Sequence, residues 1–330
     1  LITDWQSWLR HNKGRAETTT TKYGQYLQRL QSFLDGKPLL EASPQELEHF
    51  VGLHTHKQGL SPRSRRALVA AVRGFYAWAA GPGRRTHRNP AKAVEYPNAG
   101  RRLPVAMGLD NAERLLMQPD ISTFIGVRDA AMLSVLIGCG VRVSGLVGMN
   151  ESGLLFYRDG DVERLAIKVR EKGGKERIVP APVETRLLIR AYLGHAELED
   201  IDRSLQDGDQ VLWVSTRNRT VPEDRYHGEA RRINRRTIND IILHYGEAAG
   251  IPKAQCHPHA LRHLYGAELA EEDVDLLKRQ ALLGHEDPKT TEIYTHMAMR
   301  QLAKEVDRAN PLRKIRTPVT DLARALQQRR

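Results

Sequence analysis

The chain has 330 residues, 40% of them hydrophobic, and a formal net charge of +11. That length suits two domains, each able to bury a core. No run reaches the roughly 18 apolar residues of a membrane helix, and the N-terminal LITDWQSWLRHNK has no secretory pattern. Two cysteines, Cys139 and Cys256, are too few for a disulfide framework; each reads as a small packing residue in a reducing cytoplasm.

The charge is uneven. Residues 1–100 hold 15 Lys+Arg against 7 Asp+Glu, a net +8, while residues 101–330 hold 36 against 33, a net +3. A basic front third is the footprint of a polyanion partner, nucleic acid above all.

The front third reads as helices. Residues 18–36 space Tyr23, Tyr26, Leu27, Leu30 and Phe33 at helical intervals. Residues 43–59 open with Ser43 as cap, Pro44 at the first turn and Glu46 three residues after the cap. Residues 60–81 repeat that start with Ser61 and Pro62, and turn Leu68, Val69, Val72, Phe75 and Tyr76 inward. The cations Arg63, Arg65, Arg66 and Arg73 of this last helix suit a groove or phosphates; each alone is equally a solvated face. Residues 81–104 carry four prolines and a run of basic residues that includes Arg84 and Arg85, as an extended linker does.

Beyond it, helices are expected near 110–118 and 124–138. Strands at 163–170 and 176–180 flank the turn glycines of EKGGK, and VLWVS (211–215) reads as a short strand. Further helices are expected at 183–194, 234–249, 258–270, 274–283, 288–306 and 319–328. The fold class is mainly α with one small antiparallel sheet.

Chemistry concentrates in HPHALRH (257–263), where His259 and Arg262 lie at i and i+3 on one helix face. Four other stretches carry suitable partners: Arg142 in GCGVRVSGL, Lys172 and Lys175 in EKGGKER, His285 in LLGH and Tyr294 in TTEIYTH. Two arginines can clamp the non-bridging oxygens of a phosphodiester, a histidine can move a proton, and a tyrosine can attack phosphorus. Taken alone, Tyr294 is an ordinary helix tyrosine. His259 and His263 have the i, i+4 spacing of zinc ligands, but position 260 is Ala and Arg262 would bring a cation beside the metal, so no metal is assigned.

These elements, in this order, resemble the tyrosine recombinases of the phage-integrase and Xer type. The resemblance covers nearly the whole chain, including an NPAxxV-type linker at Asn89, Pro90, Ala91 and Val94. It implies a core-binding domain (1–96) built as a SAM-like four-helix bundle, a linker (97–104) and a mostly α catalytic domain (105–330), closing as a clamp on DNA. It implies that Arg142 and Arg262 hold the scissile phosphate and that Lys172, with Lys175 as runner-up, protonates the leaving oxygen. His259 would accept the tyrosine proton, His285 would bond the phosphate, and Tyr294 would be the nucleophile. Arg63, Arg65, Arg66, Arg73, Arg84, Arg85, Lys175 and Arg177 are the expected DNA contacts. His263 is expected to support packing and His257 to face solvent or phosphate.

The implied partners are double-stranded DNA with inverted-repeat core sites and a homotetramer on two such sites, with no cofactor, no metal and no membrane. The expected location is cytoplasmic, on the nucleoid. Residues 317–330 are expected to dock on a neighbouring protomer. With no arm-binding segment ahead of residue 1, simple core sites are expected. One departure stands out: Gly145 takes the place of the carboxylate that usually follows the first arginine by three positions. Asp129, Glu171 and Glu176 are candidates to replace it. A non-cutting DNA-binding regulator and a type-IB-like relaxing enzyme remain as alternatives.

Overall fold

The structure, a computed structural model, describes residues 1–81, 86, 88–100, 105–170, 176–218, 220–284 and 297–319. The chain forms two compact units, Leu1–Leu103 and Pro104–Arg330.

The first unit is helical. It contains α1 (Ile2–His11), α2 (Glu17–Phe33), α3 (Pro44–His49), which runs through a π-helical stretch (Phe50–His54) into α4 (Thr55–Lys57), and α5 (Pro62–Ala79). The caps are those expected. Ser43 and Glu46 form a reciprocal capping box, and the Ser61 hydroxyl accepts from the Ser64 amide. Lys37 and the capping bonds hold the Glu46 carboxyl down at about 2. The inward residues of α5 meet Leu27, Leu30, Leu47 and Phe50 in one core. Helix α1 is absent from the sequence expectation, yet Trp5 is fully buried, stacked on Tyr23 at 5.8 Å and edge-on to Phe75 at 5.7 Å. Burying such an aromatic contributes on the order of 2–3 kcal/mol, more than so short a helix could supply by propensity. Ala91 and Val94 join this core, so the start of the linker belongs to the first unit.

The second unit is organised around α7 (Phe124–Cys139), whose residues are nearly all buried. A helix apolar on every side belongs at the centre of a unit. It is covered by α6 (Leu109–Leu116), α8 (Val143–Val147), α9 (Val183–Leu193) and α12 (Pro258–Glu271). The other α-helices among the described residues of this unit are α10 (Ala196–Glu199), α11 (Arg235–Ala248), α13 (Leu276–Leu283) and α14 (Met297–Ala309). The sheet is antiparallel in the order β1 (Leu154–Asp159), β2 (Val162–Arg170), β3 (Glu176–Ala181). Strand β1 is absent from the expectation. Conversely, 211–215 forms isolated bridges, Asn150↔Val211 and Val214↔Arg232, instead of a strand. Its apolar run is explained by burial, with Trp213 stacked on Tyr192 at 5.3 Å. The expected helix 319–328 and the start of 288–306 lie largely outside the described residues. Between α14 and the expected helix 319–328 the chain makes a 3₁₀ turn, Pro311–Lys314.

Candidate active site

Helix α7 ends at Gly140 in the left-handed conformation, and Arg142 then sits extended at the cap position of α8. Its half-buried guanidinium donates from Nη2 to the Gly284 carbonyl at 3.2 Å. Arg262 lies one turn into α12 and is only 8% exposed. It donates from Nη1 to the Gly140 carbonyl and from Nη2 to the Leu283 carbonyl. Two arginines 120 positions apart in sequence thus converge on one turn, the C-terminal end of α13. A buried guanidinium needs acceptors, and the last carbonyls of a helix are open acceptors at its negative end.

Helix α12 starts with His257 as its cap, whose Nδ1 accepts from the Ala260 amide at 3.1 Å, and Pro258 in the first turn. His257 therefore holds the helix start in place. His259 follows, exposed, on the Arg262 side. Partial burial first, then the charges of His263, His257, Arg262 and Arg142, hold its imidazole below the ordinary value of 6.5. A neutral imidazole beside two guanidiniums is a proton acceptor. His263 does not support the packing as expected: it is exposed, its ring 6.4 Å from that of His259.

Lys172, Lys175, His285 and Tyr294, like Arg84 and Arg85, lie outside the described residues, so only their chain neighbours can be placed. Arg170 and Glu176, the chain neighbours of 171–175, pair across the ends of β2 and β3. Gly284, immediately before His285, is the left-handed cap of α13. Helix α14, three residues after Tyr294, is tied to the body of the unit by Arg164 to Asp307 at 2.5 Å and Lys278 to Glu305 at 2.8 Å.

Two of the candidate braces for Arg142, Asp129 and Glu176, have other partners. Both oxygens of Asp129 are engaged, one by Arg128 at 2.7 Å and the other by Tyr245 at 3.0 Å. It stands ten residues before the end of α7, about 15 Å away along the axis. Glu176 pairs with Lys168 at 2.9 Å, and Glu171 lies outside the described residues. Position 145 itself is crowded: a Cβ there would stand 2.8 Å from Val169 Cγ1 of β2. Glycine at this position lets α8 approach the sheet.

Several expected DNA contacts are committed elsewhere. Arg66 and Arg73 both lie over the Tyr96 ring, at 5.3 and 5.4 Å, and Arg73 donates to the Val94 carbonyl at 2.8 Å. They fasten residues 94–97 to α5. Arg63 is exposed and Arg65 half-buried. Arg177 donates to the Leu282 carbonyl at 2.5 Å, a contact that sequence reading missed. Cys139 and Cys256 are both buried, and burial pushes the Cys139 thiol up to about 12, so neither is a poised nucleophile.

The phage integrase family matches residues 107–301, and the phage integrase N-terminal SAM-like domain matches residues 2–82. The chain belongs to the phage integrase family. The tyrosine recombinase XerD of Pseudomonas aeruginosa is 34% identical over 298 residues, covering 89% of this chain and 91% of that protein. The XerD of Caulobacter vibrioides is 33% identical over 304 residues, covering 91% and 92%. Among solved structures, the XerH recombinase bound to palindromic difH in a post-cleavage complex aligns with a TM-score of 0.64 at 17% identity, covering 92% of this chain and 82% of that one. A lambda integrase dimer bound to a core site aligns at 0.61 and 15%, covering 88% and 95%. At such identities the structural likeness concerns the fold. The relatives at 33–34% identity place this family member among the tyrosine recombinases.

Proposed function

We propose that this chain cuts and rejoins DNA at specific sites, with Tyr294 as nucleophile. The observation that carries this reading is the convergence of Arg142 and Arg262 on the turn that leads into His285. Two guanidiniums held there can neutralise a scissile phosphate as charge builds on its oxygens. Tyr294 Oη attacks phosphorus, its proton passes to His259, and the P–O5′ bond breaks as Lys172 protonates the leaving oxygen. The products are a 3′-phosphotyrosyl link and a 5′-hydroxyl. A 5′-hydroxyl from a partner strand then reverses these steps, so bond energy is conserved and no nucleotide cofactor is consumed.

Inverted-repeat core sites, a homotetramer on two sites and a Holliday-junction intermediate complete the reading. A lambda integrase tetramer bound to a Holliday junction shares the fold, with a TM-score of 0.58 at 18% identity. We place the protein in the cytoplasm, on the nucleoid; among the described residues no helix is long and apolar enough to cross a membrane. The test is covalent capture from a library of randomised DNA duplexes carrying nicks that trap the cleaved strand. The wild-type chain should enrich one core sequence as a protein–DNA adduct, and Tyr294→Phe should enrich none. Pairing two captured sites should then yield exchanged strands. Adducts without exchange would point to relaxation alone, and no adduct at all would defeat the reading.

A further inference from the structure

Arg177 is the second residue of β3, two positions after Lys175 in the chain. Side chains alternate along a strand. Glu176 and Ile178 are exposed, whereas Arg177 shares its face with Val179, which is fully buried. Arg177 is therefore turned toward the interior. Its Nη1 donates to the Leu282 carbonyl at 2.5 Å, and its Nε lies 2.7 Å from where a Cβ on Gly284 would stand. Three successive carbonyls at the end of α13 thus accept from three arginines on three different elements: Leu282 from Arg177, Leu283 from Arg262 and Gly284 from Arg142. The hairpin base is gripped on its other strand as well. Val169, the cross-strand partner of Arg177, packs where Gly145 leaves room beside Arg142.

We propose that Arg177 is a positioning residue that fixes the paired ends of β2 and β3 against the end of α13, and so sets where the lysines between those strands are delivered relative to the two phosphate-clamping arginines. This rests on the recombinase reading, in which Lys172 protonates the 5′ leaving oxygen. It departs from the expectation that Arg177 grips DNA. A phosphate contact would face outward and add to the salt dependence of binding. A positioning contact leaves binding alone and alters proton delivery to the leaving group.

The two roles separate on the duplex captured by the wild-type chain, prepared with either an ordinary phosphodiester or a 5′-bridging phosphorothiolate at the cut. A thiolate leaves without being protonated, so it bypasses the lysine. At saturating DNA, Arg177→Ala should slow adduct formation on the ordinary duplex by about 100-fold, the low end of what a general acid supplies. On the sulfur duplex the loss should be under about threefold, and the slope of log K against log salt should be unchanged. Arg177→Lys, which keeps one donor for the Leu282 carbonyl, should recover about tenfold of the loss.

Equal losses on both duplexes would overturn the proposal in favour of a general role in stability, which the melting temperature of each variant would show. A salt slope shallower by about one with normal cleavage at saturation would overturn it in favour of phosphate contact. Wild-type capture lost in Tyr294→Phe keeps the recombinase reading standing whichever way Arg177 falls.

Discussion

Arg142 donates to the carbonyl of Gly284 at 3.2 Å, joining the cap of α8 to the last turn before His285. Gly284 holds φ +64, a conformation that costs a residue with a Cβ about 1–2 kcal/mol. A Cβ would also meet the Arg177 guanidinium. Gly284→Ala should therefore lower the melting temperature by a few degrees and reduce adduct formation by more than the lost stability explains. Calorimetry alongside a cleavage time course tests this; unchanged cleavage would mean that the turn does not set the arginines.

Restoring the usual carboxylate should harm the protein. Gly145→Glu forces a side chain against Val169 Cγ1, 2.8 Å from the first new carbon. Overpacking of this kind costs about 1–3 kcal/mol. Cleavage should fall, and the double variant Gly145→Glu/Val169→Ala should regain part of the stability. Higher activity from Gly145→Glu alone would show that Arg142 simply lacks a brace.

The pH dependence follows from His259. Its imidazole is held below 6.5 by partial burial and by the charges of His263, His257, Arg262 and Arg142. The folded site keeps a neutral base at pH values where the unfolded chain is already protonated. Between the lowered value and 6.5 the unfolded state thus binds more protons, so this group's contribution to stability rises with pH. The acid limb of the cleavage profile should lie below pH 6.5, and His263→Gln should move it upward by removing a like charge. A limb that stays in place in His263→Gln would contradict this.

The basic helix α5 divides into two kinds of arginine. Arg63→Ala should weaken DNA binding and make the salt slope shallower by about one, as loss of a phosphate contact does. Arg73→Ala should leave that slope alone and loosen residues 94–97, because it removes the bond to the Val94 carbonyl and one cation over Tyr96. Proteolysis near Tyr96, compared between wild type and variant, reads the second effect.

Much of this fold is legible in the sequence because its signals are local. Ser43, Pro44 and Glu46, or Ser61 and Pro62, announce helix starts through bonds made within four residues. The mostly apolar run of α7, in which Arg128 and Asp129 pair with each other, suits a central position. Helix α1 is harder to read, since its order comes from Trp5 meeting Tyr23 and Phe75. The buried segment 211–215 imitates a strand because burial and strand formation favour the same residues. At the site, Arg142, His259 and Arg262 can be picked out by motif, but what the two arginines bond to cannot. Their acceptors include the backbone carbonyls of Gly140, Leu283 and Gly284, which no side-chain pattern records. The inward turn of Arg177 and the crowding at Gly145 both depend on how β2 and β3 pack.

The most direct test of the account is to identify the residue that becomes bonded to DNA. The adduct trapped on a nicked core duplex should be digested with trypsin and nuclease, and the nucleotide-bearing peptide sequenced by mass spectrometry. The account predicts a phosphodiester link on Tyr294 through a 3′-phosphate, lost in Tyr294→Phe. A link on any other residue, or a 5′-phosphate link, would contradict it.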